Sequence, residues 1–117
     1  MQLQESQVGN ILILEPEGHL DTAASGPLEL DLLQRIDAGL RQLLLDCSQL
    51  EYVNSSGLKV ILIAAKKLDA LGGKLALCRL APNVQMIFEM IGFTKILNIY
   101  PTREEGLAVL QEGVQVG

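Results

Sequence analysis

Asn54-Ser55-Ser56-Gly57 puts an amide, two hydroxyls and a backbone position without a side chain into four consecutive residues. Shortly before it, Leu43 to Leu45 is a continuous apolar run, the pattern of a strand covered on both faces. Gln49 to Val53 then reads as a short polar connection. From Leu58 the spacing changes: Leu58, Ile61, Leu62, Ala65 and Leu68 recur at three and four residues and share one face of a helix. The serines therefore stand at a helix start. A hydroxyl there can cap the free backbone N–H groups. The same donors, with the helix dipole, also favour an added anion. Cap, nucleophile and phosphorylation site are the three chemistries open to such a hydroxyl.

A hydrolytic nucleophile wants a Gly-x-Ser-x-Gly elbow and a base beside it. Val53-Asn54-Ser55-Ser56-Gly57 lacks the first glycine, and the sole histidine, His19, has nothing in the sequence to set it beside Ser55. His19 reads instead as an exposed polar residue after a strand. A phosphate loop needs Gly, four residues, then Gly-Lys-Ser/Thr; Gly72-Gly73-Lys74 has neither the spacing nor the hydroxyl and reads as a helix stop. No Cys/His cluster has metal-ligand spacing. Cys47 and Cys78 each fall inside an apolar strand pattern and are expected to be buried free thiols of a reducing compartment. The expectation is a chain that is not an enzyme and that carries no cofactor and no metal.

The bulk properties narrow the class further. A length of 117 residues argues for one domain, with a core at roughly 2–112. With 49% apolar residues but only 3% aromatic, that core must be built from Leu, Ile, Val and Ala. A formal net charge of −5 disfavours an electrostatic nucleic-acid binder and would be repelled by anionic lipid headgroups. The first residues lack the basic-then-apolar pattern of a secretory signal. The longest apolar run, Val60 to Ala65, is far too short to span a bilayer. A cytoplasmic protein is expected.

The elements that must position the serines follow in order. Leu3 to Val8 and Ile11 to Leu14 read as strands joined by a Gly9-Asn10 turn, with Pro16 and Gly18 ending the second. Asp21, Thr22 and Ser25 are all candidate caps for the next helix, and Pro27 suits its first turn if Ser25 is the cap. Leu28, Leu32 and Ile36 mark its apolar face, and Ala38-Gly39 ends it. The helix after Gly57 is expected to stop at Gly72-Gly73. Leu75 to Cys78 is a buried strand. Pro82 opens a helix with Val84, Ile87, Phe88 and Ile91 on one face; Phe88 with Met86 and Met90 would form either core or a ligand pocket. Ile96 to Tyr100 reads as the last strand, and Thr102-Arg103-Glu104-Glu105 starts a terminal helix with capping-box spacing despite Gly106. The tail from Gly113 is expected to fray. Strands alternating with helices after a hairpin imply an α/β fold with a partly parallel sheet, whose strand ends and following loops carry function.

Two stretches together resemble a known family. Gly18-His19-Leu20-Asp21-Thr22-Ala23 resembles the segment before the first helix of STAS domains. Leu45-Asp46-Cys47-Ser48 through Val53-Asn54-Ser55-Ser56-Gly57-Leu58 resembles their signature, in which an Asp-Ser-Ser-Gly-type tetrapeptide opens the second helix. The resemblance covers nearly the whole chain, and a domain of this size looks most like a bacterial anti-sigma-factor antagonist. It implies a STAS-like mixed sheet of about four to five strands, an N-terminal hairpin and about four helices. It also implies partner switching. The unphosphorylated antagonist binds an anti-sigma factor that is also a serine kinase, which frees the sigma factor. The kinase, with its own ATP, phosphorylates the antagonist and releases it, and a serine phosphatase resets it. The modified serine corresponds to Ser55. The implied binding face centres on Ser55, Ser56 and Gly57, with Asp21, Thr22 and Asn54 beside them. Lys59, one turn along, is placed to pair with a phosphate. One departure stands out: the family's usual Asp is Asn54 here, nearly the same shape but uncharged, so any help a carboxylate gives the serine is missing. STAS domains also serve in lipid-transport ATPases, in stress-sensing complexes and as small-ligand sensors, and the resemblance leaves monomer or dimer open.

Overall fold

A computed structural model describes residues 1–112 of the chain; the fraying expected from Gly113 lies outside them. Strands β1 (Gln2–Val8) and β2 (Ile11–Leu20) form the N-terminal hairpin, followed by helix α1 (Thr22–Asp37), β3 (Gln42–Asp46), β4 (Leu50–Val53), α2 (Ser55–Ala70), β5 (Lys74–Cys78), α3 (Pro82–Met90), a 3-10 turn at Phe93–Lys95, β6 (Asn98–Tyr100) and α4 (Arg103–Glu112). The sheet runs β1-β2-β3-β5-β6, antiparallel between β1 and β2 and parallel elsewhere, with β4 added to the far end of β2. This is the expected STAS-like mixed α/β class, with six strands among the described residues.

The alternation of side chains along each strand builds two cores. Leu12, Leu14, Leu43, Leu45, Leu75 and Leu77 face α1, α2 and α3, whose Leu28, Leu32, Ile61, Leu68, Val84 and Phe88 complete the larger core. Ile11, Ile13, Leu44, Ala76 and Cys78 face the other way, under Leu110 of α4. Coverage on both faces is why Leu43 to Leu45 is apolar without interruption.

The structure corrects several boundaries. β2 does not stop at Pro16 or Gly18 but continues to Leu20. Pro16 lies between the segment paired with β3 (Ile11–Leu14) and the segment paired with β4 (Gly18–Leu20), so its missing N–H costs no ladder bond on that side. Gly18, at φ 88°, takes up a register shift, a bulge that only a residue without Cβ accommodates easily. The supposed polar connection before the serines contains β4, with Leu50 and Val53 buried and Glu51 and Tyr52 exposed. Pro27 is in the interior of α1, whose cap is Asp21 and not Ser25. On α2 the buried face is Leu58, Val60, Ile61, Ala64 and Leu68, with Leu62 and Ala65 only half-buried. Ile91 is exposed, and the last strand is shortened to Asn98–Tyr100 by the 3-10 turn before it. Phe88 is core, edge-on to Phe93 at 6.2 Å, whereas Met86 and Met90 are exposed, so these three line no common pocket. Among the described residues no helix is long and apolar enough to cross a membrane.

Candidate functional site

Leu20 and Val53 are register partners at the ends of the parallel strands β2 and β4. The next residue on each strand, Asp21 or Asn54, leaves the sheet in an extended conformation and caps a helix. Two helix N-termini therefore emerge side by side. Asn54 N–H donates to Leu20 O at 3.2 Å and fixes their spacing. Asp21 Oδ1 accepts from Ala24 N–H at 3.1 Å, and the buried Ser25 hydroxyl donates to Asp21 O at 2.6 Å.

The cap of α2 is Asn54, not a serine. Its Oδ1 accepts the Gly57 N–H at 3.1 Å, while its Nδ2 donates across to Thr22 Oγ1 of α1 at 3.1 Å. Because a backbone N–H needs an acceptor, the amide can face only one way. Thr22 Oγ1 also lies 3.3 Å from Ser56 Oγ; having accepted from Asn54, its own proton is free to go to Ser56. Asn54, Thr22 and Ser56 thus form one polar bridge between α1 and α2. Gly57 makes the close approach feasible: a Cβ there would sit 2.6 Å from Leu20 Cγ and 2.7 Å from Leu20 O.

With capping assigned to Asn54 and bridging to Thr22 and Ser56, Ser55 is left over. It is the first residue of α2, exposed, and its hydroxyl takes no hydrogen bond among the described residues. Lys59 is exposed one turn further and forms no salt bridge among them. Long helical side chains lean toward the N-terminus of their helix, and Ser55 is the residue four positions earlier on the same face. All seven residues singled out from the sequence (Asp21, Thr22, Asn54, Ser55, Ser56, Gly57 and Lys59) lie on these two helix starts or within one turn of them.

His19 is exposed, with its ring edge-on to Tyr52 at 5.7 Å. Among the described residues no group of three His, Cys, Asp or Glu side chains is placed to hold a metal. Cys47 and Cys78 are buried free thiols. Burial pushes both up, Cys78 to about 12, so neither is a ready nucleophile at neutral pH.

The sequence reading passed over a charged cluster at the ends of β3 and β5. Asp46 is fully buried and accepts from Arg79 Nε at 3.0 Å, Arg103 Nε at 2.8 Å and the Ser48 N–H at 3.2 Å. Arg103 also reaches Glu15 at 2.7 Å. Burial alone would raise the Asp46 carboxyl, but the hydrogen bonds from Arg79, Arg103 and Ser48 outweigh it and hold the group below its ordinary value. The signal in the sequence was a carboxylate at the end of a buried leucine run, which must find a cation.

The sequence profile of the STAS domain matches residues 2–106. A protein named as an anti-sigma factor antagonist, BtrV of Bordetella bronchiseptica, is 35% identical over 111 residues, covering 95% of this chain and 96% of its own. The anti-sigma F factor antagonist of Paenibacillus polymyxa is 29% identical over 95% of this chain and 96% of its own. In three dimensions, the crystal structure of a Thermotoga maritima protein described as an anti-sigma factor antagonist superposes with a TM-score of 0.89 at 22% identity, covering 93% of this chain and 94% of that one. The phosphorylated form of the Bacillus cell fate determinant SpoIIAA superposes at 0.73 and 21% identity, covering 92% and 97%. A profile match over nearly the whole sheet and its helices, with a relative above 30% identity along the full length, leaves one assignment: the chain belongs to the STAS domain family.

Proposed function

We propose that this chain is an anti-sigma-factor antagonist. It docks through the paired starts of α1 and α2 onto an anti-sigma factor with serine-kinase activity, and a phosphate on Ser55 ends the docking. The observation that carries this reading is the uncommitted, exposed Ser55 hydroxyl beside an Asn54 that already caps α2. The names of the relatives, anti-sigma factor antagonists, support it.

In the proposed reaction Ser55 Oγ attacks the γ-phosphorus of ATP held by the kinase. The new O–P bond forms as the bond to ADP breaks, and the hydroxyl proton leaves to a base of the kinase. A serine phosphatase reverses the modification with water. The chain itself supplies the nucleophile, its orientation at the helix start and its exposure. Phosphorylation adds about −1.5 to −2 charges at neutral pH. The dipole of α2 offsets only about 0.3–2 kcal/mol of the cost of holding them. If the partner covers Ser55, the phosphate must shed water inside a contact shaped for a hydroxyl. That costs several kcal/mol, and about 2.7 kcal/mol already means a hundredfold weaker complex. Lys59 is the proposed counter-charge when the phosphate is solvent-facing.

The test is a pull-down from the native cell with the tagged chain, followed by incubation of the recovered proteins with ATP. Mass spectrometry is expected to show one added phosphate on Ser55, absent in Ser55→Ala. Recovery of a membrane ATPase without a kinase, or a phosphate elsewhere, overturns the reading. Partner release and phosphoserine stability unchanged in Lys59→Ala would remove the role given to that lysine.

A further inference from the structure

Asn54 has a capacity that its cap does not use. Its Oδ1 is taken by the Gly57 N–H, and one Nδ2 proton goes to Thr22 Oγ1. The second Nδ2 proton has no acceptor among the described residues, and Asn54 is only half-buried. The rotamer is held from both ends, so the residue directly before the exposed Ser55 carries a spare donor on a fixed side chain. An Asp at the same place could keep the cap, but it would offer Thr22 and any neighbouring anion only acceptors.

We propose that Asn54 is a positioning residue for the modified state: held in place by Thr22 and the Gly57 N–H, its free amide proton hydrogen-bonds a phosphate on Ser55. The inference rests on the reading of Ser55 as the modified residue. Its consequence concerns regulation. A donor beside the phosphate favours the dianion over the monoanion. Free phosphoserine has a second pKa of about 6, so it is not fully ionised near neutrality. The Asn54 contact adds to the pull of Lys59 and of the α2 N-terminus, against the Asp21 carboxylate at the neighbouring helix start. The phosphate therefore carries more of its full charge at neutral pH, and release of the partner varies less with small changes in pH. A carboxylate at position 54 would act the other way, by like-charge repulsion.

The test places phosphoserine at position 55 of the full chain by genetic-code expansion, so that no kinase is involved. The phosphate is titrated by phosphorus NMR, and the Asn54 side-chain amide by proton–nitrogen correlation. The expected result is a phosphate midpoint below that of free phosphoserine, with the Asn54 Nδ2 signal moving at the same midpoint. Asn54→Ser keeps a good cap but removes the amide donor; it is expected to raise the midpoint by about 0.5 pH unit or more, a threefold change in proton affinity. Asn54→Asp is expected to raise it further. An Asn54 signal that does not follow the phosphate overturns the proposal. So does an Asn54→Ser midpoint equal to the parent's, even if Asn54→Asp shifts, because that pattern reports distant charge without a contact. Backbone spectra that retain the parent pattern confirm that each variant is folded. Because the phosphate is installed directly, a kinase that never modifies Ser55 would sink the proposed function and leave this result untouched.

Discussion

Three neighbouring residues at the start of α2 are separable by experiment because each is held by a different force. Asn54 contributes one capping bond to the Gly57 N–H, and loss of a cap costs about 1 kcal/mol. Gly57 contributes an absence: a methyl there would stand 2.6 Å from Leu20 Cγ and 2.7 Å from Leu20 O, inside the distance any carbon tolerates. The Leu20 carbonyl cannot swing away, since it accepts the Asn54 N–H that spaces the two helices. Gly57→Ala is therefore expected to destabilise the chain by about 1–3 kcal/mol through forced repacking and to weaken partner binding as the helix starts splay. Asn54→Ala is expected to cost about 1 kcal/mol. Ser55→Ala, at an exposed hydroxyl with no bond, should leave stability within about 0.5 kcal/mol of the parent. Urea unfolding of the three variants checks the order, and a Ser55→Ala loss as large as that of Gly57→Ala would mean that the hydroxyl is structural after all.

At the scale of elements, α4 is the piece whose attachment depends on charge. It covers the smaller core with Leu110, and its first turn is tied to the sheet by Arg103, which bonds both Asp46 and Glu15. Gly106 lets it lie close: a Cβ there would meet Leu44 Cδ1 at 2.8 Å, which is why a glycine that reads as a helix breaker is in the helix. Asp46 is held below its ordinary value, so the folded state binds its proton less readily than the unfolded chain. Its contribution is complete above the unfolded value of about 4 and is lost as pH falls from there through the lower folded value. Asp46→Asn is expected to cost about 1.5–3 kcal/mol at neutral pH, because two part-exposed guanidiniums lose charged hydrogen bonds to their shared carboxylate. The penalty should shrink as pH falls below about 4, where the unfolded parent takes up the proton first and its folded state follows at the lower value. Denaturation midpoints at pH 7 and pH 3 test this; an equal penalty at both would assign the loss to packing. The helices that position the site were legible from local cues, capping residues before apolar periodicity and Gly72-Gly73 after it. The caps themselves were not: the sequence put a serine where Asn54 caps α2 and left Asp21 as one of three candidates for α1. β4 was not legible either, because four residues with buried ends, Leu50 and Val53, have no clear period. Its partner is the part of β2 beyond Pro16 and Gly18, two residues that locally argue for an end. The Asn54–Thr22 bridge spans the same sequence distance and was equally out of reach, although both residues were singled out.

For the whole molecule, the question is whether a phosphate acts by reshaping the fold or by its presence. The geometry favours presence. Ser55 is on the outside of the α1–α2 junction, its hydroxyl supports nothing, and the leucines of both cores lie within the sheet layers behind it. Close-packed interiors respond to changes of volume or charge inside them, and a phosphate on this rim introduces neither. The chain already carries a net charge of −5; the added charge is repulsive in general, but general repulsion at this distance is screened at physiological salt. What remains is local: a dianion that must shed water inside a contact that had fitted a hydroxyl. Phosphorylation of Ser55 is therefore expected to weaken the partner complex at least about a hundredfold while amide chemical shifts change only around Thr22, Asn54 to Lys59 and their immediate neighbours. The effect on affinity should persist at high salt, since it arises from desolvation in the contact and not from long-range field. Titration calorimetry at low and high salt, with proton–nitrogen spectra of both forms, checks it. Shift changes reaching β5, α4 or the Asp46 cluster would show that the fold itself is the switch.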